Sequence, residues 1–387
     1  MIGPVGTPRV RGRALGIAVA ACLALAVWAV GLCDSASAAV THRQEGTFAV
    51  AGFSWLSVDN SGGPSAGDLY IGEINLVSFA TRVYQTNESG TPTGVELDGS
   101  ETPAGSFGLV DTATVQIASG PAVDSSSGTR AGDIYVPDIA HDVIDLFDEA
   151  GHYVCQITGS ATPSASECAG ATGSQTPRGT IEPLALTVDP ANGDVIVGDA
   201  SGVLYRFNEA GEFEAEVADS HITAPKSLAV DSTGSIWVVN GSGEALKFSA
   251  AGSFEFALGT SRVSVGVDTN DDHVYLGGEE GPIEEFDSAG NPVSTFGVTE
   301  GVPGARSIGV NETTDQVFLT PPFGEEGQIW SKGILVPAVT TGAATGVGEG
   351  GATVAGAVDP EIGEGGTAIE SCRFEYVDDA TFQASEW

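Results

Sequence analysis

Basic side chains are scarce. The 387-residue chain has 14 Lys and Arg against 52 Asp and Glu, a formal net charge of −38 at pH 7. That balance excludes recognition of nucleic-acid phosphates, which needs clustered Lys and Arg. Long hydrophobic runs are missing after the first 38 residues, so no later segment is apolar enough to cross a membrane. No Ser-His-Asp order with a nucleophile elbow, no phosphate loop and no dinucleotide fingerprint is present. Cysteine is sparse as well, with five in the chain.

The N-terminus is the exception to the missing hydrophobic runs. Arg9, Arg11 and Arg13 precede a 19-residue apolar run, Ala14 to Leu32, and Ala36-Ser37-Ala38 follows it. A basic start, an apolar stretch and a small-x-small triplet predict a secretory signal peptide over residues 1–38, with a retained N-terminal anchor as the other reading of so long a run. Removal of these residues takes away three Arg and Asp34. It leaves 11 basic against 51 acidic side chains, a net charge of −40. The acids are dispersed among Val, Ile, Phe and Tyr, which is a solubilising surface and not a disordered tract. Export permits oxidation, and Cys155 and Cys168, 13 positions apart, are the expected disulfide.

Internal periodicity dominates the rest. A turn followed by β-branched or aromatic residues recurs six times: Gly67-Asp68-Leu69-Tyr70-Ile71, Gly132-Asp133-Ile134-Tyr135-Val136, Gly193-Asp194-Val195-Ile196-Val197, Gly234-Ser235-Ile236-Trp237-Val238, Asp272-His273-Val274-Tyr275-Leu276 and Asp315-Gln316-Val317-Phe318-Leu319. Each follows a strand ending in Val-Asp or Val-Asn. Each leads to a third strand and then, in most repeats, to a glycine turn such as Glu209-Ala210-Gly211 and a fourth strand. The last three intervals are 41, 38 and 43 residues, the length of a four-stranded propeller blade. The first two, 65 and 61, carry the Gly-, Ser-, Thr- and Pro-rich stretches Thr86–Pro103 and Ser160–Thr180, predicted to be loops. The sixth repeat lacks a fourth strand, and Gly46–Val50 reads as a strand without a blade. The two together predict a ring latched by its own N-terminus, because an open array would leave an unpaired sheet edge.

The phrasing Leu228-Ala229-Val230-Asp231, Gly234-Ser235-Ile236-Trp237-Val238-Val239-Asn240, then Ala245-Leu246-Lys247-Phe248, resembles the NHL-repeat family of six-bladed propellers. The resemblance covers about residues 46–333 of a propeller domain expected over 39–333, and implies an all-β fold. It is specific for fold and weak for activity, since the family includes protein- and ligand-binding modules and a few related propellers are lyases or lactonases. Over residues 334–387, Ala338–Gly342, Ala352–Pro360 and Cys372–Tyr376 read as strands between glycine turns and resemble the start of a fibronectin type III-like sandwich. Such a sandwich needs about seven strands. Three before Trp387 predict a domain that continues past the sequence, which would explain the odd cysteine, Cys372.

Candidate chemistry is thin. The position two residues beyond the turn-led strand holds Glu73, Asp138, Asp199, Asn240, Gly278 and Pro321. With His141 beside Asp138, the polar members are a candidate ring at the channel mouth, weighed against simple turn-capping by Asp and Asn. Asp268, Asn270 and Asp272, with Glu279, superficially fit a calcium loop, yet His273 stands where such a loop requires glycine. The repeat alignment also makes Asp268 the counterpart of Asp189 and Asp231. The histidines His42, His141, His152, His221 and His273 occupy non-equivalent places, so three convergent zinc ligands are not assembled.

These features favour a secreted or cell-surface, non-catalytic binding protein without a cofactor, presenting propeller loops to an extracellular protein, glycan or cell-wall component. A metal-dependent lyase or lactonase and a structural spacer are the alternatives.

Overall fold

The computed structural model describes residues 40–74, 81–107, 120–160, 168–169, 174–297, 304–324, 326–335, 338–348 and 351–359. The expected leader over 1–38 and the expected strand at Cys372–Tyr376 lie outside them.

The described chain opens with β1 (Val40–Ala49). Blade 1 follows as β2 (Phe53–Val58), β3 (Leu69–Ile74), β4 (Thr81–Thr86) and β5 (Pro92–Leu97). Blade 2 is β6 (Ala122–Val123), β7 (Ile134–Asp138), β8 (Val143–Phe147) and β9 (Tyr153–Ile157). Blade 3 is β10 (Pro183–Val188), β11 (Val195–Asp199), β12 (Val203–Phe207) and β13 (Phe213–Val217). Blade 4 is β14 (Ser227–Val230), β15 (Ile236–Val239), β16 (Ala245–Phe248) and β17 (Phe254–Leu258). Blade 5 is β18 (Arg262–Asp268), β19 (His273–Gly278), β20 (Ile283–Phe286) and β21 (Pro292–Phe296). Blade 6 is β22 (Ser307–Asn311), β23 (Gln316–Thr320) and β24 (Glu326–Leu335), with β1 as its fourth strand. The protein is therefore an all-β six-bladed propeller whose last blade is completed by the N-terminal strand.

The turn-led strands are continuous apolar runs because both of their faces are covered. In β15, Ile236 and Val238 pack against blade 3, while Trp237 and Val239 pack against blade 5. Alternation of period two thus feeds two cores at once. Six such clusters, one at each seam, close the ring.

The first residue of the repeated turn-led pattern takes a left-handed backbone. Gly67 (φ 90°), Gly132 (φ 87°), Gly193 (φ 78°) and Gly234 (φ 79°) do so in the first four blades, and Asp272 (φ 58°) and Asp315 (φ 54°) in the last two. Aspartate is among the few other residues that tolerate this region, which explains why the repeat substitutes Asp for Gly there.

One expectation is corrected. Thr86–Pro103 is not a loop throughout: Pro92–Leu97 is the outer strand of blade 1. Its turn is Asn87-Glu88-Ser89-Gly90, with Asn87 Oδ1 accepting from the amides of Ser89 (3.1 Å) and Thr91 (2.9 Å). The strand is solvated along most of its length, so it carries no apolar run to betray it. Within Ser160–Thr180, Cys168 is buried and bonded to Cys155 of β9. A bridge closing a loop of 13 residues stabilises by about 3 kcal/mol in the chain-entropy model. We expect C155A/C168A to lose about that much, read as a lower denaturation midpoint that reductant no longer shifts.

A second unit carries β25 (Ala338–Thr341), β26 (Thr345–Gly348), β27 (Gly351–Thr353) and β28 (Gly356–Asp359). β25 pairs with β28, and β26 with β27. The expected strand over Ala352–Pro360 is broken at Val354–Ala355, where the Ala355 carbonyl turns to accept the Gly342 amide at 2.7 Å.

Candidate functional site

Each innermost strand presents a free backbone edge to the centre of the ring, and an unpaired edge group is costly. Small hydroxyls meet that demand. Ser227 Oγ accepts from Val265 N (3.1 Å), Ser57 Oγ from Val123 N (3.3 Å) and Ser307 Oγ from Leu56 N (3.2 Å), each reaching into the next blade. Ser264 Oγ donates to Ala305 O at 2.7 Å. The central cavity left between them is only about 140 Å³.

At the end where the Val-Asp strands finish, this cavity is rimmed by Asn60, Ser125, Thr269 and Glu312. Asn60 N donates to Ser125 Oγ (3.2 Å), Glu312 N to Asn60 Oδ1 (3.0 Å) and Thr269 Oγ1 to Glu312 Oε1 (2.5 Å), linking blades 2, 1, 6 and 5. Burial holds the Glu312 carboxyl above its ordinary range, against the pull of the Thr269 bond. None of these four was singled out from sequence. The signal available was their shared place, directly after the Val-Asp or Val-Asn of four repeats.

The positions two residues beyond the turn-led strands lie at the opposite end. None of Glu73, Asp138, His141, Asp199 and Asn240 lines the central cavity. Asp138 accepts from Ala140 N (3.1 Å) and pairs with His141 Nδ1 (2.6 Å). Asp199 accepts from Ser201 N (2.8 Å) and Glu182 N (2.7 Å), and Asn240 Oδ1 from Ser242 N (3.1 Å) and Glu244 N (3.0 Å). Glu73 is ion-paired with Arg82 at 2.7 Å. These oxygens are spent on turn amides, on the Glu182 amide and on pairs with Arg82, His141 and Arg178. Blade 5 has Gly278 here, and blade 6 departs altogether: Pro321-Pro322-Phe323-Gly324 takes the turn, and Phe323 stands 63% exposed.

The acids of the expected calcium loop are drawn apart in the same manner. Asp268 is buried, its Oδ1 accepts from Asn270 N (2.9 Å), and its other oxygen pairs with Lys332. Asn270 Nδ2 donates to Glu312 O (2.8 Å), and Asp272 receives the amide (2.8 Å) and hydroxyl (2.9 Å) of Ser232. Among the described residues, no three His, Cys, Asp or Glu side chains are grouped to hold a cation.

The histidines are dispersed. His152 pairs with Asp148 (3.2 Å), His221 with Asp219 (2.6 Å) and His273 with buried Glu285 (2.7 Å). His42, on the latch strand, is stacked on Phe296 with ring centroids 4.0 Å apart, edge-on to Tyr275. Its Nε2 is buried without a partner, and desolvation lowers its pKa to about 4. The folded protein thus keeps His42 neutral, so its contribution to stability is lost as pH falls from the free value of 6.5 toward 4. We expect His42→Phe to gain melting temperature relative to wild type as the pH falls from 6.5 to 4.

A scan of the chain against protein-family models finds no match, and a search of curated proteins finds none either.

Proposed function

We propose that this protein is an exported, non-catalytic propeller that binds an extracellular protein, glycan or cell-wall component. In this reading residues 1–38 are a leader, 39–333 an NHL-like propeller and 334–387 a fibronectin type III-like segment. Its site of action is outside the cell or at the cell surface.

The observation that supports it most is the break of the repeat in blade 6. Blades 2, 3 and 4 spend the equivalent position on a turn cap, whereas blade 6 uses two prolines to hold an aromatic side chain out in water. Proline fixes φ near −65°, so Phe323 is presented with little conformational entropy left to lose on binding. A locally inconsistent segment in an otherwise regular array is where function is expected.

The test uses the mature protein against a glycan array and isolated cell walls, with Phe323→Ser as the comparison. Saturable capture that Phe323→Ser abolishes supports the reading, and no capture of any probe counts against it. Metal analysis with and without chelator addresses the lyase or lactonase alternative. We expect no stoichiometric metal and an unchanged melting temperature; a tightly held divalent ion whose removal lowers it would favour the enzyme.

A further inference from the structure

Beside Phe323 sits a cation with no counter-ion among the described residues. Arg306 precedes β22, and its guanidinium carbon lies 4.6 Å from the ring centre of Phe53, 5.7 Å from that of Trp55 and 5.7 Å from that of Phe323. Phe53 and Phe323 contact each other at 5.0 Å between centroids. These residues come together because β2 and β22 start, and β23 ends, at the same end of neighbouring blades. The guanidinium Nε donates to the Pro322 carbonyl at 3.1 Å, which fixes the plane of the fork.

Guanidinium has five N–H groups, and among the described residues the four on Nη1 and Nη2 have no hydrogen-bond partner and no carboxylate within ion-pair distance. The other described cations either pair with acids or, like Arg43 and Lys226, are solvated at the surface. Among the described residues Arg306 alone is both half-buried and unpaired, in a chain with 52 acids. Burial lowers its pKa, opposed by the charge of Glu279, which is exposed in the neighbouring blade.

We propose that Arg306 and its ring of Phe53, Trp55 and Phe323 form a binding site for a single carboxylate carried next to a flat apolar group. The planar fork matches a carboxylate in two parallel hydrogen bonds. The aromatic faces close off the flanks of the cation, so a ligand must approach along the edge that carries Nη1 and Nη2. The exposed Phe323 ring offers a surface for the ligand's apolar body. The strongly acidic protein repels polyanions, which selects for one negative charge on an otherwise neutral molecule. The source is either a free aryl acid or the C-terminal aromatic residue of a protein.

The inference rests on the binding reading above, and its test is separate. Benzoate, N-acetylphenylalanine and the amide of each are titrated into the mature protein and followed by saturation-transfer NMR. Both acids are expected to bind saturably at one site, and the amides not. Tighter binding of benzoate assigns a free aryl acid, and tighter binding of N-acetylphenylalanine a protein C-terminus. Arg306→Gln is expected to weaken both at least about tenfold, the loss typical of a charged hydrogen bond. Arg306→Lys keeps the charge without the fork and falls between. Because Arg306 also braces a seam, Phe323→Ser supplies the control: it should weaken binding with the melting temperature unchanged. Equal binding to Arg306→Gln, binding of the amides as well as the acids, or tighter binding of glucuronate than benzoate overturns the proposal. A glycan or cell-wall ligand captured equally by wild type and Arg306→Gln would overturn it too, while leaving the binding reading intact.

Discussion

Deleting residues 40–50 is expected to abolish the closed propeller, leaving a chain that associates or precipitates. The sixth blade without β1 exposes the outer edge of β24, a ready template for pairing with another chain. It also loses Phe48 and Val50 from the cluster they share with Leu56, Val58, Leu69, Ile71, Phe318 and Ile329. Phe48→Ala alone should cost about 3–5 kcal/mol, the range for emptying a buried phenylalanine site. Gly327 is the other half of that contact, since a Cβ there would lie 2.2 Å from the Phe48 ring. Gly327→Val should therefore displace the latch even with Phe48 in place. Denaturant midpoints with light scattering check the series, and a synthetic 40–50 peptide should restore the truncated chain. An unchanged midpoint after truncation would show that the strand is ornamental.

Stability should also rise as the pH is lowered from about 8 to about 6, and Asp145 should be the main cause. Asp145 lies in β8 with both carboxyl oxygens buried and unpartnered, opposite Gln156, whose Oε1 is unpartnered too. Desolvation, with Asp138 nearby, pushes its pKa from 3.8 up to about 7. The folded state therefore holds a proton that the unfolded chain has released. The stability gained from it is complete below pH 3.8 and lost as pH rises through 7. A shift of that size is worth about 4 kcal/mol as an upper bound. Asp68 and Asp133, each pushed up to about 6, act in the same direction. His42 acts in the opposite one below pH 6.5 and offsets only one of these three acids, so the gain should continue as the pH falls toward about 4. Asp145→Asn should flatten the alkaline limb and raise the melting temperature at pH 8. If the variant is instead less stable at that pH, the carboxylate has a partner that the fold conceals.

The legible parts of this molecule were those that repeat. Six turn-led strands, each buried on both faces, announce themselves as apolar runs. The unbladed strand at Gly46–Val50 and the bladeless end of the sixth repeat could be matched because one lacked what the other had. Cys155 and Cys168 needed only proximity in sequence and the expectation of export. Solvated elements were less visible: Pro92–Leu97 pairs by its backbone while most of its side chains face water. The polar rim was missed because its members are chemically unlike, although they share a position. The ring around Arg306 had no signal in one dimension. Phe53 and Phe323 stand far apart in sequence and meet only when the ring closes.

The way the ring closes also sets how it yields to force. Arg43 O accepts from Ser331 Oγ at 3.2 Å, and Phe48 lies over Gly327. The first residues of β1 thus lie beside the last residues of β24. Tension applied between Val40 and Leu335 falls on that end of the pairing and peels it one bond at a time. Strands pulled from opposite ends would share the load across every bond; here the fastener tears like a zip, at low force and from a fixed starting point. A tether drawn through both ends would release the sixth blade first and leave the other five folded.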